Sequence, residues 1–264
     1  MKLNMVKWRL MLTTLPAPLF MLLLKLGLYY GLHFEGWVKF SEIGIVVTGG
    51  IFLLGFMLAG VMADYKESEK MPAELACALE TIDDIVTLAY EVKLNFDVQD
   101  LRSRLTAVTE SIIQYFERKH GEDVVFKKIS SITEIAQVME TANVGGIISR
   151  MSVEQHNLRK LYTRVTVIKR TNFLSTGYAL LQVLSFIIFG LLLISKFDNI
   201  VVSGIIVCFI TQIFVYMIRL IMDIDQPFEY SSTGVPRASD VDLTPLMEFY
   251  NRSLSRQVIG ERIA

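Results

Sequence analysis

Gly44-Ile-Val-Val-Thr-Gly-Gly-Ile-Phe-Leu-Leu-Gly-Phe-Met-Leu-Ala-Gly-Val-Met-Ala63 holds no charged side chain from end to end. A bilayer core is ~30 Å thick, and a helix needs ~20 apolar residues to cross it. Two further runs, Asn172 to Ser195 and Asn199 to Ile218, are also uncharged. A fourth, Leu10 to Phe34, is interrupted only by Lys25. The runs stand two and two around a polar middle. The pattern predicts an all-α membrane protein with four transmembrane helices and a helical cytoplasmic domain. Residues 1–63 would hold an interfacial helix and the first two spans, and 64–172 the cytoplasmic helical region. Residues 173–221 would hold the last two spans, and 222–264 a cytoplasmic tail.

Four spans in 264 residues enclose little by themselves. A permeation path would need several copies around an axis, for which cyclic symmetry is the usual arrangement. Orientation follows the Lys and Arg counts near the span ends. The polar middle from Asp64 to Asn172 has fifteen, and the two short connections have one each, Lys39 and Lys196. Both termini and the middle are therefore expected on the cytoplasmic side. The basic start and apolar run at the N-terminus read as an uncleaved span, since Lys25 interrupts the run and no small-x-small site follows.

Pro16 and Pro18 sit badly in a helix interior. A short interfacial helix over 4–14 and a span from Ala17 to Phe34 follow, with Tyr29, Tyr30 and Trp37 as an aromatic belt. The second span is expected to end at Asp64 and Tyr65. A charge run then leads to a new helix from Ala73, with Leu75, Leu79, Ile82, Val86 and Leu88 at helical spacing. Asp97 reads as an N-cap. Leu101, Leu105, Val108, Ile112 and Phe116 form the next apolar face. Val124 to Ala142 reads as one helix through Val125, Ile129, Ile132, Ile135 and Met139, broken by Asn143, Gly145 and Gly146. The segment from Ile147 to Arg170 runs toward the third span without a stop. Lys196-Phe-Asp198 makes a tight hairpin between the last two spans.

The chain shows no P-loop, no Gly-x-Ser-x-Gly, no His-Glu-x-x-His and no Gly-x-Gly-x-x-Gly. No catalytic residue, cofactor or resident metal is expected. Two cysteines, Cys77 and Cys208, give no disulfide framework. Asp223, Asp225 and Glu229, with Asp240 and Asp242, could take a hard cation, but a solvated juxtamembrane segment is the plainer reading. Asp83-Asp84 reads as an exposed helix face. Lys25 lies near mid-span, where an ionisable group is a functional hypothesis by default. Pairing inside the bundle or snorkelling outweighs a direct role with an ion.

The second span carries two adjacent faces. Thr48, Phe52, Phe56 and Gly60 are spaced by four. Ile51, Gly55, Ala59 and Ala63 lie beside them, small enough for a neighbouring backbone to approach. One face could pack on a neighbour while the other points rings toward an axis, where apolar side chains gate ions by dewetting. Any membrane helix has Phe and Gly, and periodicity alone does not separate a pore face from ordinary packing.

These residues resemble the bestrophins, in particular their bacterial relatives. The order of elements matches. Phe52-Leu-Leu-Gly-Phe56 is similar to the family's neck helix, and Glu69-Lys-Met-Pro72 to its Glu-x-x-Pro. Asp225-Gln-Pro-Phe228 and Asp240-Val-Asp-Leu-Thr-Pro-Leu246 resemble its two C-terminal motifs. Glu229 departs from the Gly usual after Pro-Phe, and the acidic tail does not clearly match a calcium clasp. The resemblance implies a homopentameric ion channel lined by the second span, with Thr48, Phe52 and Phe56 at an apolar neck. Aligned on Glu69 and Pro72 the register shifts by one, to Val47, Ile51 and Gly55; rings constrict a five-fold axis better than Gly. The expected partners are copies of the chain, membrane lipids and permeant inorganic ions, chloride-type anions foremost, in a bacterial inner membrane, and not nucleic acid. The competing reading is a membrane-anchored helical scaffold without a permeation path.

Overall fold

The computed structural model describes residues 2–92, 98–141, 145–170, 175–230, 237 and 239–261. The helices are α1 (Lys2–Thr14), α2 (Pro16–Gly31), α3 (Phe40–Val92), α4 (Val98–Phe116), α5 (Glu122–Ser130), α6 (Ile132–Thr141), α7 (Gly145–Arg170), α8 (Ser175–Ile194), α9 (Ile200–Ile224) and α10 (Thr244–Glu261). Two-residue strands β1 (Val38–Lys39) and β2 (Ser195–Lys196) pair in parallel. By backbone contacts the chain divides into two units. One holds Met1–Tyr65, Asn172–Pro227 and Val235–Ser239; the other holds Lys66–Thr171, Phe228–Gly234 and Asp240–Ala264.

The first unit contains four helical stretches long and apolar enough to cross a membrane, in α1–α2, α3, α8 and α9. Pro16 stands at the first position of α2, where a missing N–H costs nothing. The aromatic end of α2 leads through Gly36, whose φ is +95°. A Cβ there would meet the Ser195 carbonyl oxygen at 2.6 Å, so only glycine fits this approach. Trp37 N–H then donates to the Ile194 carbonyl at 2.9 Å, and β1 lies against β2. The hairpin closes on Asn199, whose side chain accepts the Val201 amide at 2.8 Å as the N-cap of α9.

The principal correction concerns α3. The second span does not end at Asp64 and Tyr65, and no separate helix starts at Ala73; one helix runs through the charge run. The cause is a buried stripe that never lapses. Ile43, Val47, Leu54, Met57 and Val61 are buried in the first unit, and Ser68, Met71, Leu75, Leu79, Ile82, Val86 and Ala89 in the second. Steps of three, four and seven keep these on one face. Pro72 removes one intrahelical bond without ending the helix.

The second unit packs α4 on α5 and α10, α6 on α7, and the polar half of α3 into a common core. Leu101, Leu105, Val108, Ile112 and Phe116 are all buried in it, each such side chain contributing ~1.5–3 kcal/mol. Leu88, expected on the same face as Val86, is exposed, because it lies about 150° off the stripe carried by Leu75, Leu79, Ile82 and Val86. The segment read as one helix from Val124 is two, α5 and α6, with Ser131 bonding back to the Lys127 and Lys128 carbonyls at the joint. α7 begins at Gly145 rather than after Gly146. Asp97, Ala142, Asn143, the Met139 side chain and the junction at 171–174 lie outside what is described.

Asp83 is also corrected. It is buried, not on an exposed face, while Asp84 is exposed. Arg102 Nε of α4 donates to one carboxylate oxygen at 3.2 Å, and Arg256 of α10 donates to the other. Arg102 also reaches Thr87 Oγ1 at 2.9 Å. A carboxylate can stay charged in a core when guanidinium groups replace its water. Arg164 of α7 similarly grips Glu67 with two parallel bonds of 2.7 and 2.6 Å.

Candidate pore face of the second span

The membrane half of α3 has two unlike sides. Ile43, Val47, Gly50, Leu54, Met57 and Val61 face α8 and α9 within their unit. Thr48, Ile51, Phe52, Gly55, Phe56, Ala59 and Ala63 are all exposed in the single chain. Phe52 is 76% exposed and Phe56 69%, so neither ring is part of the core of the chain. Thr48 bonds back to the Gly44 carbonyl at 2.9 Å, which satisfies its hydroxyl within the helix.

Within the chain, the glycine of this helix that packs against neighbouring side chains is Gly50. A Cβ on Gly50 would stand 2.7 Å from Ile188 Cδ1 and from Phe214 Cζ. A Cβ on Gly55 would meet nothing within 4 Å. Gly50 is therefore the packing glycine inside the chain. Its place among Ile43, Val47, Leu54 and Met57 at alternate steps of three and four was the available signal.

Lys25 is buried and spends its charge on backbone. Its Nζ donates to the carbonyls of Leu192 at 3.2 Å, Leu193 at 2.8 Å and Ser195 at 2.5 Å. These are carbonyls at the end of α8 that no further helical turn can use. The ammonium also completes the negative end of the helix dipole, and stands 5.8 Å from the Phe197 ring. Pairing inside the bundle is thus the arrangement found.

The C-terminal motif residues act as connectors. Asp225 is the C-cap of α9. In the first unit Asp223 accepts from Ser239 Oγ at 2.8 Å and lies 3.7 Å from Arg237 Nη1. Pro227 closes that unit's segment. In the second unit Phe228 is fully buried beside the Phe116 ring, 5.3 Å between centroids, and Glu229 pairs with Arg118. Asp240 is half-buried just ahead of Val241, whose carbonyl accepts from Tyr230 Oη at 2.8 Å. Asp242 accepts from the Thr244 amide at 2.9 Å and its hydroxyl at 2.5 Å, opening α10 with an Asx turn. Those donors hold the Asp242 carboxyl below its ordinary 3.8. Among the described residues no three His, Cys, Asp or Glu side chains converge as metal donors.

No family model matches the chain, and no curated protein sequence does. Solved structures match over nearly its whole length. One is a single-residue variant of a bacterial bestrophin homolog from Klebsiella pneumoniae: TM-score 0.74, 14% identity, 91% of this chain and 97% of that one. A second structure of the bacterial bestrophin homolog from that organism gives 0.72 at 14%, over 94% and 97%. A variant described simply as a membrane protein gives 0.72 at 15%, over 96% and 98%. The class is thus a four-span all-α membrane protein. More particularly, the chain has the fold of the bacterial bestrophin homologs.

Proposed function

We propose that this chain is the subunit of a homopentameric ion channel, conducting small inorganic ions with chloride-type anions favoured, through a central pore lined by α3. The observation that carries the reading is the exposure of Phe52 and Phe56 on a helix whose opposite face is core. Exposed rings stacked at four-residue spacing would form an apolar neck when five copies surround an axis, with Thr48 one turn away. Ile51 borders that neck, and Gly55, Ala59 and Ala63 form the adjacent face, on which a neighbouring copy could approach closely.

The alternative register loses support. Val47 would point to the axis in it, yet Val47 is 6% exposed and packed in its own unit. The Phe register uses only side chains that the chain leaves uncovered. The fold likeness to bestrophin homologs supports the same reading. Placement in a bacterial inner membrane with cytoplasmic termini rests on the Lys and Arg distribution. The experiment is direct: purified protein in chloride-loaded vesicles should dissipate an imposed gradient. Vesicles no leakier than protein-free ones would favour the scaffold reading.

A further inference from the structure

A groove of about 670 Å³ runs along the seam between α2 and α9. From α2 it is lined by Leu19, Leu22 and Leu26, and from α9 by Ile205, Cys208 and Phe209. Both helices belong to the membrane-crossing stretches, so the solvent outside this seam is hydrocarbon. Its two ends differ from its middle. At one end stands Tyr30, 65% exposed, in the aromatic cluster beside the outer hairpin. At the other, Gln212 closes the groove by donating to Thr14 Oγ1 at 2.9 Å. From Val201 to Gln212 the α9 wall is about 17 Å long at 1.5 Å per residue. One leaflet of a ~30 Å core is ~15 Å deep.

We propose that this groove is a binding site for one acyl chain of a phospholipid from the leaflet at the hairpin side. The lining is apolar from Ile200 to Phe209 on α9 and from Leu15 to Leu26 on the α2 side. The mouth carries a tyrosine, the residue type that sits at headgroup level. The far end is shut by a polar pair, against which a chain terminus stops. Gly204 makes the trough: a Cβ there would stand 3.0 Å from Leu22 Cδ1, so its absence lets the helices draw together beneath the groove. A chain held there would be a fixed part of the seam rather than part of the exchanging lipid around it. A facing copy of this chain is the other conceivable occupant, but about 670 Å³ along a wall of about 17 Å averages roughly 40 Å² in section, too narrow for a helix ~10–12 Å across with its side chains.

The test is native mass measurement of the purified full-length protein after passage through vesicles of phosphatidylethanolamine and phosphatidylglycerol. Wild type should retain one phospholipid per chain. Ile205→Trp, at a position already 64% exposed, should fill the groove and lower that occupancy at least ten-fold with the oligomer intact. Ile205→Gln makes the lining polar without filling it, and should weaken retention too. Val202→Trp, exposed on α9 outside the groove, should retain lipid as wild type does. A wild type that holds no lipid, or equal retention in all four proteins, would overturn the proposal. Loss of the oligomer on Ile205→Trp with lipid unchanged would overturn it as well, and would mark the groove as an interface between copies.

Discussion

Lys25 shows how a charge is accommodated inside a membrane span. Three carbonyl oxygens from the end of α8 replace its water. Those bonds tie α2 to the end of α8 and to β2. Lys25→Met keeps the stem and removes the donors; the Leu192 carbonyl keeps the Ser195 hydroxyl at 2.6 Å, while the Leu193 and Ser195 carbonyls lose the ammonium, at about 1–3 kcal/mol for each group left unpaired. Thermal unfolding in detergent should move down by several degrees while ion selectivity stays unchanged. Altered selectivity with unchanged stability would place Lys25 on the ion path instead. Asp242 makes the parallel case outside the membrane. Its carboxyl is held low by Thr244, so its contribution is present above the ordinary aspartate value and lost as pH falls through the lowered one. Asp242→Ala should cost the docked tail helix ~1 kcal/mol at neutral pH. The gap from wild type should close as the pH drops below about 4, which urea unfolding followed at several pH values would read out. A gap constant with pH would assign the cost to packing.

Much of the element scale was legible in sequence, and its failures have physical causes. Pro16 and Pro18 marked the α1–α2 joint because proline acts locally. The α4 face was read residue by residue because its apolar period is clean. The continuity of α3 was missed because Asp64 to Lys70 looks like an exit from the membrane. The decisive residues are Ser68 inside that run and Met71 just after it, neutral positions that keep the buried stripe in phase. Asp83 was misplaced because its two guanidinium partners come from elements 19 and 173 residues away. Gly55 was read as a packing position and Gly50 was not singled out, although it continues the three-and-four spacing of the buried residues around it. The two glycines give a paired prediction. Gly50→Ala overpacks α3 against Ile188 and Phe214 and should cost ~1–3 kcal/mol. Gly55→Leu meets nothing in its own chain, so the subunit should fold normally and fail to assemble. Equal unfolding temperatures for Gly50→Ala and wild type, or an intact oligomer in Gly55→Leu, would contradict that division of roles.

For the whole molecule, the apolar composition and span count placed the chain in a membrane. They left the Phe52–Phe56 face ambiguous, since rings facing lipid and rings facing an axis look the same in one chain. Topology can be tested without function. Single cysteines at Lys39 and Lys196 should react with an impermeant reagent on intact cells, and one at Arg118 should not. Labelling at Arg118 would reverse the orientation derived from the basic residues.

The neck itself is tested most directly by replacing Phe52 and Phe56 together with Ala and measuring chloride flux in vesicles. Both rings are exposed in the chain, so the ~3–5 kcal/mol cavity cost of a buried Phe does not apply to its own fold. The account predicts an intact pentamer with raised flux, because a wider neck wets more readily. An intact assembly whose flux is unchanged or lower would contradict it, and would leave these rings as lipid-facing or packing surface.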